Sequence, residues 1–407
     1  MPRDLIRLLL DYSSLKKEQW KSSETLQAGR LARLLDSARR TRHYADMLPP
    51  PGHPPDFSSI RQTAKEDIVS CPERFLTVPA SSLWPARTSG STGLHTTVYL
   101  DEKTLVQRTA YRLFIESEFG RSPSDLAVQI HSSPHPPSFL SRFGLFRKEY
   151  LSVFDDDLKN LEKIAASGAR VLGTYASTMS MLASLNGQLE NPLRLKLAFC
   201  YGDMLNQETR EYIEDSFSCP VFQFYGSTEF GPIAFECPEE RKLHVNSGSF
   251  ILELVDSKGR PARTGNILVT SLINHAMPLI RYRIGDVASW GSCSCGRAWP
   301  VLESIQGRED DYLVLPSGTV RSAMALFGLY KVPHLKAYQI VQEKPDLFVF
   351  KYVPRPPGFP ESSKSIVSEK IKSGCLGEDV EVVFLEVDDL PKGSTGKLRQ
   401  FISKVKR

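Results

Sequence analysis

Four short stretches bring together residue types that can handle a phosphorylated ligand. In "SLWPARTSGSTGLHTTVYLD", residues 82–101, the run Thr88, Ser89, Gly90, Ser91, Thr92 and Gly93 carries no bulky side chain. Such a run cannot pack a core, but its hydroxyls and backbone N–H groups suit phosphate oxygens. It is not the P-loop pattern, because Gly90 and Gly93 stand too close together and Leu94 follows them. In "FQFYGSTEFGP", residues 222–232, an apolar strand feeds Tyr225, Gly226 and Ser227. Tyr225 can lay its ring on a flat ligand while Gly226 lets backbone approach. Thr228 and Glu229 can meet a phosphate and its magnesium ion. In "AMPLIRYRIGDVASW", residues 276–290, Asp286 can accept hydrogen bonds from both hydroxyls of a ribose. In "LPKGSTGKLRQ", residues 390–400, Lys397 sits on a glycine-hinged segment that could bring its ammonium to a developing phosphate charge. Taken singly, each stretch also reads as plain structure: a surface turn, a strand-end turn, an Arg–Asp pair, a solvated lysine.

A second constellation suits a metal. Cys237 and His244 in "ECPEERKLHV", with Cys293 and Cys295 in "CSCGR", supply three sulfurs and an imidazole for a tetrahedral zinc shell. Four protein ligands leave no open position, so a zinc held there is structural. The alternative is a pair of buried thiols near a surface histidine. Cys71, Cys200, Cys219 and Cys375 read as packing residues.

The elements that must position these groups follow from length and pattern. A chain of 407 residues, 41% hydrophobic and 24% charged, is an ordinary globular protein with two or three units. A net charge of +4 is too weak to argue for nucleic acid or a membrane surface as partner. Arg7 splits the apolar run Leu5–Leu10, so neither a transmembrane helix nor a signal peptide is expected. Seven cysteines form no dense framework, which favours a reducing cytoplasm.

Leucines at 26, 31, 34 and 35 predict helix in residues 1–48, with Ser23 as a weak cap, before "PPPGHPPDF" breaks the chain into an exposed connector. From about 60 to 300 strand-like runs ("LAVQIHS", "ARVLGTY", "PVFQFYGS") alternate with helical ones ("LKNLEKIAAS", and "NQETREYIEDSF" capped by Asn206). That alternation predicts an α/β domain with a mixed, largely parallel sheet. "GSFILELVDSKGRPARTGNILVTSL" reads instead as an antiparallel hairpin, a β-rich subdomain. Residues 312–407 read as a small α+β domain containing the helix "KSIVSEKIKSG" and the strand "DVEVVFLEV".

The order of the motifs is more specific than any one of them. A Ser/Thr/Gly loop, Tyr-Gly-Ser-Thr-Glu, Arg-Tyr-Arg-x-Gly-Asp, Gly-Arg-x-x-Asp and a late Pro-Lys-x-x-x-Gly-Lys resemble the adenylate-forming superfamily of acyl-CoA synthetases, adenylation domains and luciferases. The phenylacetate–CoA ligase-like group is the closer match. "QWKSSETLQAGRLARLLDSARRTRHYADML" is similar to its N-terminal region and "CSCGRAWPVLESIQGREDDYLVL" to its domain junction, so the resemblance spans nearly the whole chain.

That resemblance implies a large ATP- and carboxylate-binding domain (1–307), a hinge at 308–311 with Asp310 or Asp311 as pivot, and a mobile domain (312–407). It implies that Thr88 to Gly93 wrap the β- and γ-phosphates of ATP. Tyr201, Gly202 and Asp203 in "CYGDML" border the adenine, and Tyr225 covers its other face, with Gly226 and Ser227 beside it. Thr228 touches the α-phosphate, Glu229 the magnesium, and Asp286 and Arg308 the ribose. Lys397 bridges carboxylate and α-phosphate. Many members of the group carry cysteines and a histidine at positions matching the zinc set.

The implied activity is adenylation of a carboxylic acid, with transfer to coenzyme A. Transfer to an amine or a carrier protein, or a non-catalytic nucleotide-binding role, are the alternatives. One departure matters: the family loop continues Gly-Lys-Pro, whereas here it reads Gly93-Leu94-His95, so a phosphate-facing cation is missing unless His95 or Arg87 substitutes.

Overall fold

Apolar spacing at the N-terminus produces two helices rather than one long one. α1 (Pro2–Glu18) buries Leu8 and Leu15, and α2 (Ser23–Ala38) buries Leu26, Leu34 and Leu35. The cap of α2 is Ser22, one residue earlier than Ser23; its Oγ accepts the Thr25 N–H at 3.4 Å. α2 stops at Ala38, well before residue 48. There the Thr41 hydroxyl donates to the Ala38 carbonyl at 2.7 Å and accepts the Tyr44 N–H at 3.3 Å, offering the backbone an alternative to helix.

A computed structural model describes residues 2–50, 56–87, 96–132, 139–308, 312–326, 328–393 and 396–405. The chain divides into two units, Met1–Gly120 with Phe224–Gln306, and Arg121–Gln223 with Gly307–Arg407. The strands Val221–Ser227 and Val301–Arg308 each begin in one unit and end in the other.

The first unit adds α3 (Lys65–Ser70) and α4 (Glu102–Glu118), the latter capped by Asp101, which accepts the Thr104 N–H at 2.7 Å. Its strands lie in the order Phe250–Val255, Thr264–Ser271, Tyr282–Gly291, Val301–Arg308, Leu243–Val245, Gly231–Glu236, then the last part of Val221–Ser227. The pairings whose register is resolved are antiparallel. The predicted hairpin is Phe250–Val255 against Thr264–Ser271, Phe250 facing Ser271. Phe230, Phe250, Tyr282, Leu243 and Val245 build its core together with Leu34, Leu35 and Tyr44 from the N-terminal segment.

The second unit holds the parallel part. Strands Lys148–Ser152, Ala127–His131, Val171–Thr174 and Leu197–Tyr201 pair in that order, all parallel. α5 (Asp157–Ser167), α6 (Ala176–Leu185) and α7 (Gln207–Phe217) alternate with them, as the texture of the sequence predicts. The Asn206 cap is present, accepting the Thr209 N–H at 2.8 Å. Leu161, Ile164, Leu172, Ile213 and Phe217 are buried between these layers. The C-terminal α+β part is a sheet ordered Glu381–Glu386, Leu347–Pro354, Leu335–Lys344, Phe401–Ser403, with α8 (Glu361–Gly374) packed against it. The two central strands are antiparallel and both outer ones parallel to their neighbours. No helix among the described residues is long and apolar enough to cross a membrane.

Candidate functional site

In the first unit the Tyr-Gly-Ser-Thr-Glu stretch turns sharply between Val221–Ser227 and Gly231–Glu236. The pairing shifts register between Tyr225 and Gly226, and a Cβ at Gly226 would strike the Gly231 carbonyl. Glycine is therefore required there by close backbone approach. Tyr225 Oη donates to Asp286 Oδ2 at 2.7 Å, so two residues 61 positions apart meet. Asp286 lies in Tyr282–Gly291, and Tyr282 Oη donates to Glu229 Oε1 at 3.2 Å. Glu229 is only 8% exposed. The Arg108 guanidinium, from α4, donates to the main-chain carbonyls of Thr228 (3.2 Å) and Glu229. Burial pushes the Arg108 pKa down to about 10, while the Glu229 charge opposes that fall. Arg108 thus braces the turn carrying Thr228 and Glu229 from behind. Tyr225 is thus joined to Asp286, and Glu229 to Tyr282 of the same strand, with Gly226, Ser227 and Thr228 between Tyr225 and Glu229.

In the second unit the strand Leu197–Tyr201 ends on Gly202, whose φ of +79° favours glycine. The Asp203 carboxylate accepts the Ala176 N–H at 2.5 Å, the Ser177 N–H at 3.1 Å and the Ser177 hydroxyl at 2.6 Å. It therefore caps α6, whose own flanking residue, Tyr175, supplies no capping side chain. Burial raises the Asp203 pKa; the Ser177 hydroxyl and the Lys397 charge pull it back. Tyr175 and Tyr201 meet edge to face, ring centres 5.8 Å apart. Lys397, 195 residues downstream, donates from Nζ to the Gly202 carbonyl and lies 5.3 Å from the centre of the Tyr175 ring. Tyr201, Gly202, Asp203 and Lys397 are thus brought together. Arg308, at the end of Val301–Arg308, belongs to this unit too; its buried Nε has no hydrogen-bond partner among the described residues. Thr88 to Gly93, Leu94, His95, Asp310 and Asp311 lie outside the described residues.

The four metal-type residues converge in the first unit, each offering a ligand atom within 4.8 Å of the other three. Cys237 follows the strand Gly231–Glu236 and His244 lies in the strand paired with it, where Phe235 faces His244. Cys293 and Cys295 occupy the turn after Tyr282–Gly291. The two turns are tied together: Ser294 N–H donates to Glu240 Oε1 at 2.6 Å and Lys242 Nζ to the Ser292 carbonyl at 3.0 Å. Cys293 and Cys237 sulfurs stand 3.7 Å apart, and Cys295 Sγ 3.3 Å from His244 Nε2. A tetrahedral ion with Zn–S near 2.3 Å needs sulfurs roughly 3.8 Å apart, so the set fits. His244 Nδ1 is 3.3 Å from the Trp299 carbonyl, which can only accept; Nδ1 therefore carries the proton and Nε2 faces the cluster. Of the remaining cysteines, Cys200, Cys219 and Cys375 are buried, as packing residues should be, but Cys71 is only half-buried, at the end of α3.

Sequence patterns missed Arg108 and Asp157, which carry no motif. Lys392 stands in the late Pro-Lys-x-x-x-Gly-Lys motif, which assigns it no role apart from Lys397.

Comparison with known proteins bears on the fold and on one stretch of the sequence. Residues 87–270 match the family model described as AMP-binding enzyme. The chain is 27% identical over 260 residues to a phenylacetate-coenzyme A ligase of Thermus thermophilus, covering 56% of this chain and 58% of that protein. It is 23% identical over 278 residues to Protein CapK of Staphylococcus aureus, covering 63% and 60%. The chain thus spans less than two thirds of these relatives. Among solved structures, a 2-hydroxyisobutyryl-CoA ligase in a postadenylation state superimposes with a TM-score of 0.79 at 17% identity, covering 96% of this chain and 91% of that one. An anthranilate CoA ligase in complex with anthranoyl-AMP gives 0.57 at 16% identity, covering 79% and 67%. The matched segment contains both the Ser/Thr/Gly run and the Tyr-Gly-Ser-Thr-Glu turn, so in that part the chain is similar to AMP-binding enzymes, and its fold is the one seen in solved CoA ligases.

Proposed function

We infer that this chain uses ATP to activate a carboxylic acid as an acyl adenylate and then passes the acyl group to coenzyme A. The observation that carries the reading is the Lys397 ammonium on the Gly202 carbonyl, beside the segment expected to border adenine. The name of the Thermus relative supports coenzyme A as acceptor and an aryl acid as substrate.

In the first step a carboxylate oxygen attacks the α-phosphorus, the bond to the β-phosphate oxygen breaks, and pyrophosphate leaves. Two anions must approach, so oriented donors and cations have to offset their repulsion. Lys397 would bridge the two. Thr228 would contact the α-phosphate, and the Thr88–Gly93 loop would wrap the β- and γ-phosphates. Glu229, held by Tyr282, would present its carboxylate to magnesium. Tyr201, Gly202 and Asp203 would border the adenine, with Tyr225, Gly226 and Ser227 on its other face. Asp286 and Arg308 would hold the ribose. In the second step the coenzyme A sulfur attacks the carbonyl carbon and AMP leaves. Residues 1–307 would bind ATP and acid, 308–311 would be the pivot, and 312–407 would move between the steps.

Cys237, His244, Cys293 and Cys295 would hold a structural zinc, which would fasten the two turns they occupy and take no part in the chemistry. Seven cysteines spread along the sequence without a dense framework fit a reducing cytoplasm. Leu94 in place of the family's loop lysine favours a slower, or a non-catalytic, variant: one lost charged hydrogen bond is worth about 1.5–3 kcal/mol.

Pyrophosphate release across a panel of carboxylic acids, with and without coenzyme A, tests the reading. Acid-dependent release supports it, and coenzyme A dependence separates thioester formation from transfer to an amine or carrier protein. No release with any acid, together with no heat of ATP binding, ends it.

A further inference from the structure

One lysine and one buried carboxylate have no role in that chemistry, and they meet. Lys392 shares a short loop with Lys397. Its Nζ donates to the Val153 carbonyl at 2.8 Å and stands 3.6 Å from Asp157 Oδ1. Asp157 opens α5 and is 8% exposed, and its Oδ1 has no hydrogen-bond partner among the described residues. Burial raises the Asp157 pKa, and the charges of Lys392 and Lys336 oppose the rise.

The loop is closed on itself. Gly396 N–H donates to the Gly393 carbonyl at 2.7 Å, and Gly393 N–H to the Lys397 carbonyl at 2.9 Å. Gly396 has a φ of +77°, and a Cβ there would run into the Val153 side chain. Val153 is therefore gripped twice, its carbonyl by Lys392 and its side chain by Gly396. At the loop's far end Lys397 reaches the Gly202 carbonyl. A buried carboxylate without its counter-charge is strongly unfavourable. In the docked loop Lys392 supplies the larger part of that charge and Lys336 the rest.

We propose that Lys392 and Asp157 are positioning residues for Lys397, docking its loop in the arrangement that activates the acid. The consequence for catalysis rests on the adenylation reading above; the docking itself does not. The test uses the full chain as wild type, Asp157→Asn, Lys392→Met, the double variant and Lys392→Arg. Amide hydrogen exchange is followed in the peptide 391–400. Acid-dependent ATP–pyrophosphate exchange is measured with the most active acid of the panel. Thioester formation is measured from that acid's pre-made adenylate and coenzyme A.

Each single neutral variant should speed amide exchange in that peptide about tenfold, the double variant no further. Pyrophosphate exchange should fall about tenfold in kcat with the acid KM unchanged, thioester formation should persist, and Lys392→Arg should recover most of the loss. Unaltered amide exchange in both single variants overturns the docking. Faster amide exchange with unchanged pyrophosphate exchange, or equal loss in both half-reactions, overturns the positioning role. If no acid supports exchange in the wild type, the adenylation reading fails, and amide exchange still decides the dock.

Discussion

The cysteine–histidine cluster and the C-terminal lysine loop hold side chains in place by opposite means. The cluster uses short side chains on the ends of two hairpins, tied across by Ser294–Glu240 and Lys242–Ser292. The loop uses two long lysines flanking glycines, each ending on a carbonyl contributed by a distant strand or turn. Ordering a lysine costs about 2 kcal/mol of side-chain freedom, whereas a cysteine gives up little. The first arrangement suits a permanent fastening. The second suits a contact that forms and releases, because much of its cost returns when the loop lets go.

Breaking either side of that contrast gives outcomes of different size and kind. Lys397→Ala should lower acid-dependent ATP–pyrophosphate exchange by about 100- to 1000-fold or more, with little change in Tm; unchanged exchange would remove the lysine from the chemistry. Cys295→Ser should do the reverse. Metal analysis of the wild type should find roughly one zinc per chain, the variant should lose it, and its Tm should fall by more than about 5 °C. A freshly purified wild type without zinc would dispose of the fastening altogether.

Gly396→Ala probes the dock by shape alone. A Cβ meeting Val153 at a positive φ should cost about 1–3 kcal/mol, seen as a roughly 5- to 150-fold drop in pyrophosphate exchange. An unaffected rate would mean that the loop does not press on Val153 during catalysis. Tyr225→Phe removes the hydrogen bond to Asp286 and should raise the KM for ATP about 2- to 10-fold, corresponding to about 0.5–1.5 kcal/mol. Smallest is Asn206→Ala, which removes the α7 cap: unfolding in urea should show a loss of about 1 kcal/mol, with catalysis untouched.

Local signals were legible where short-range physics decides. The hairpin at 250–271 was readable because two β-rich runs flank a turn containing Gly259, whose φ is +77°. α7 was readable from its cap and apolar spacing. The end of α2 was not, since it depends on the Thr41 hydroxyl outcompeting a helical bond. Nor was the use of Asp203 as a cap for α6, because its partners at Ala176 and Ser177 lie on another segment. Cys71 misled for a similar reason: apolar character says nothing about which cysteine finds a core.

The order of small, aromatic, acidic and basic residues along the chain by itself set the resemblance and the chemistry to expect, because phosphate, ribose and metal each demand particular donor types. Which of those groups meet was settled only by folding. Lys392 and Val153 are separated by 239 residues, and nothing local to either predicts the other. Burial turned Asp157 from one of three consecutive aspartates into a carboxylate in need of a counter-charge, and burial is a property of the packed molecule, not of the chain.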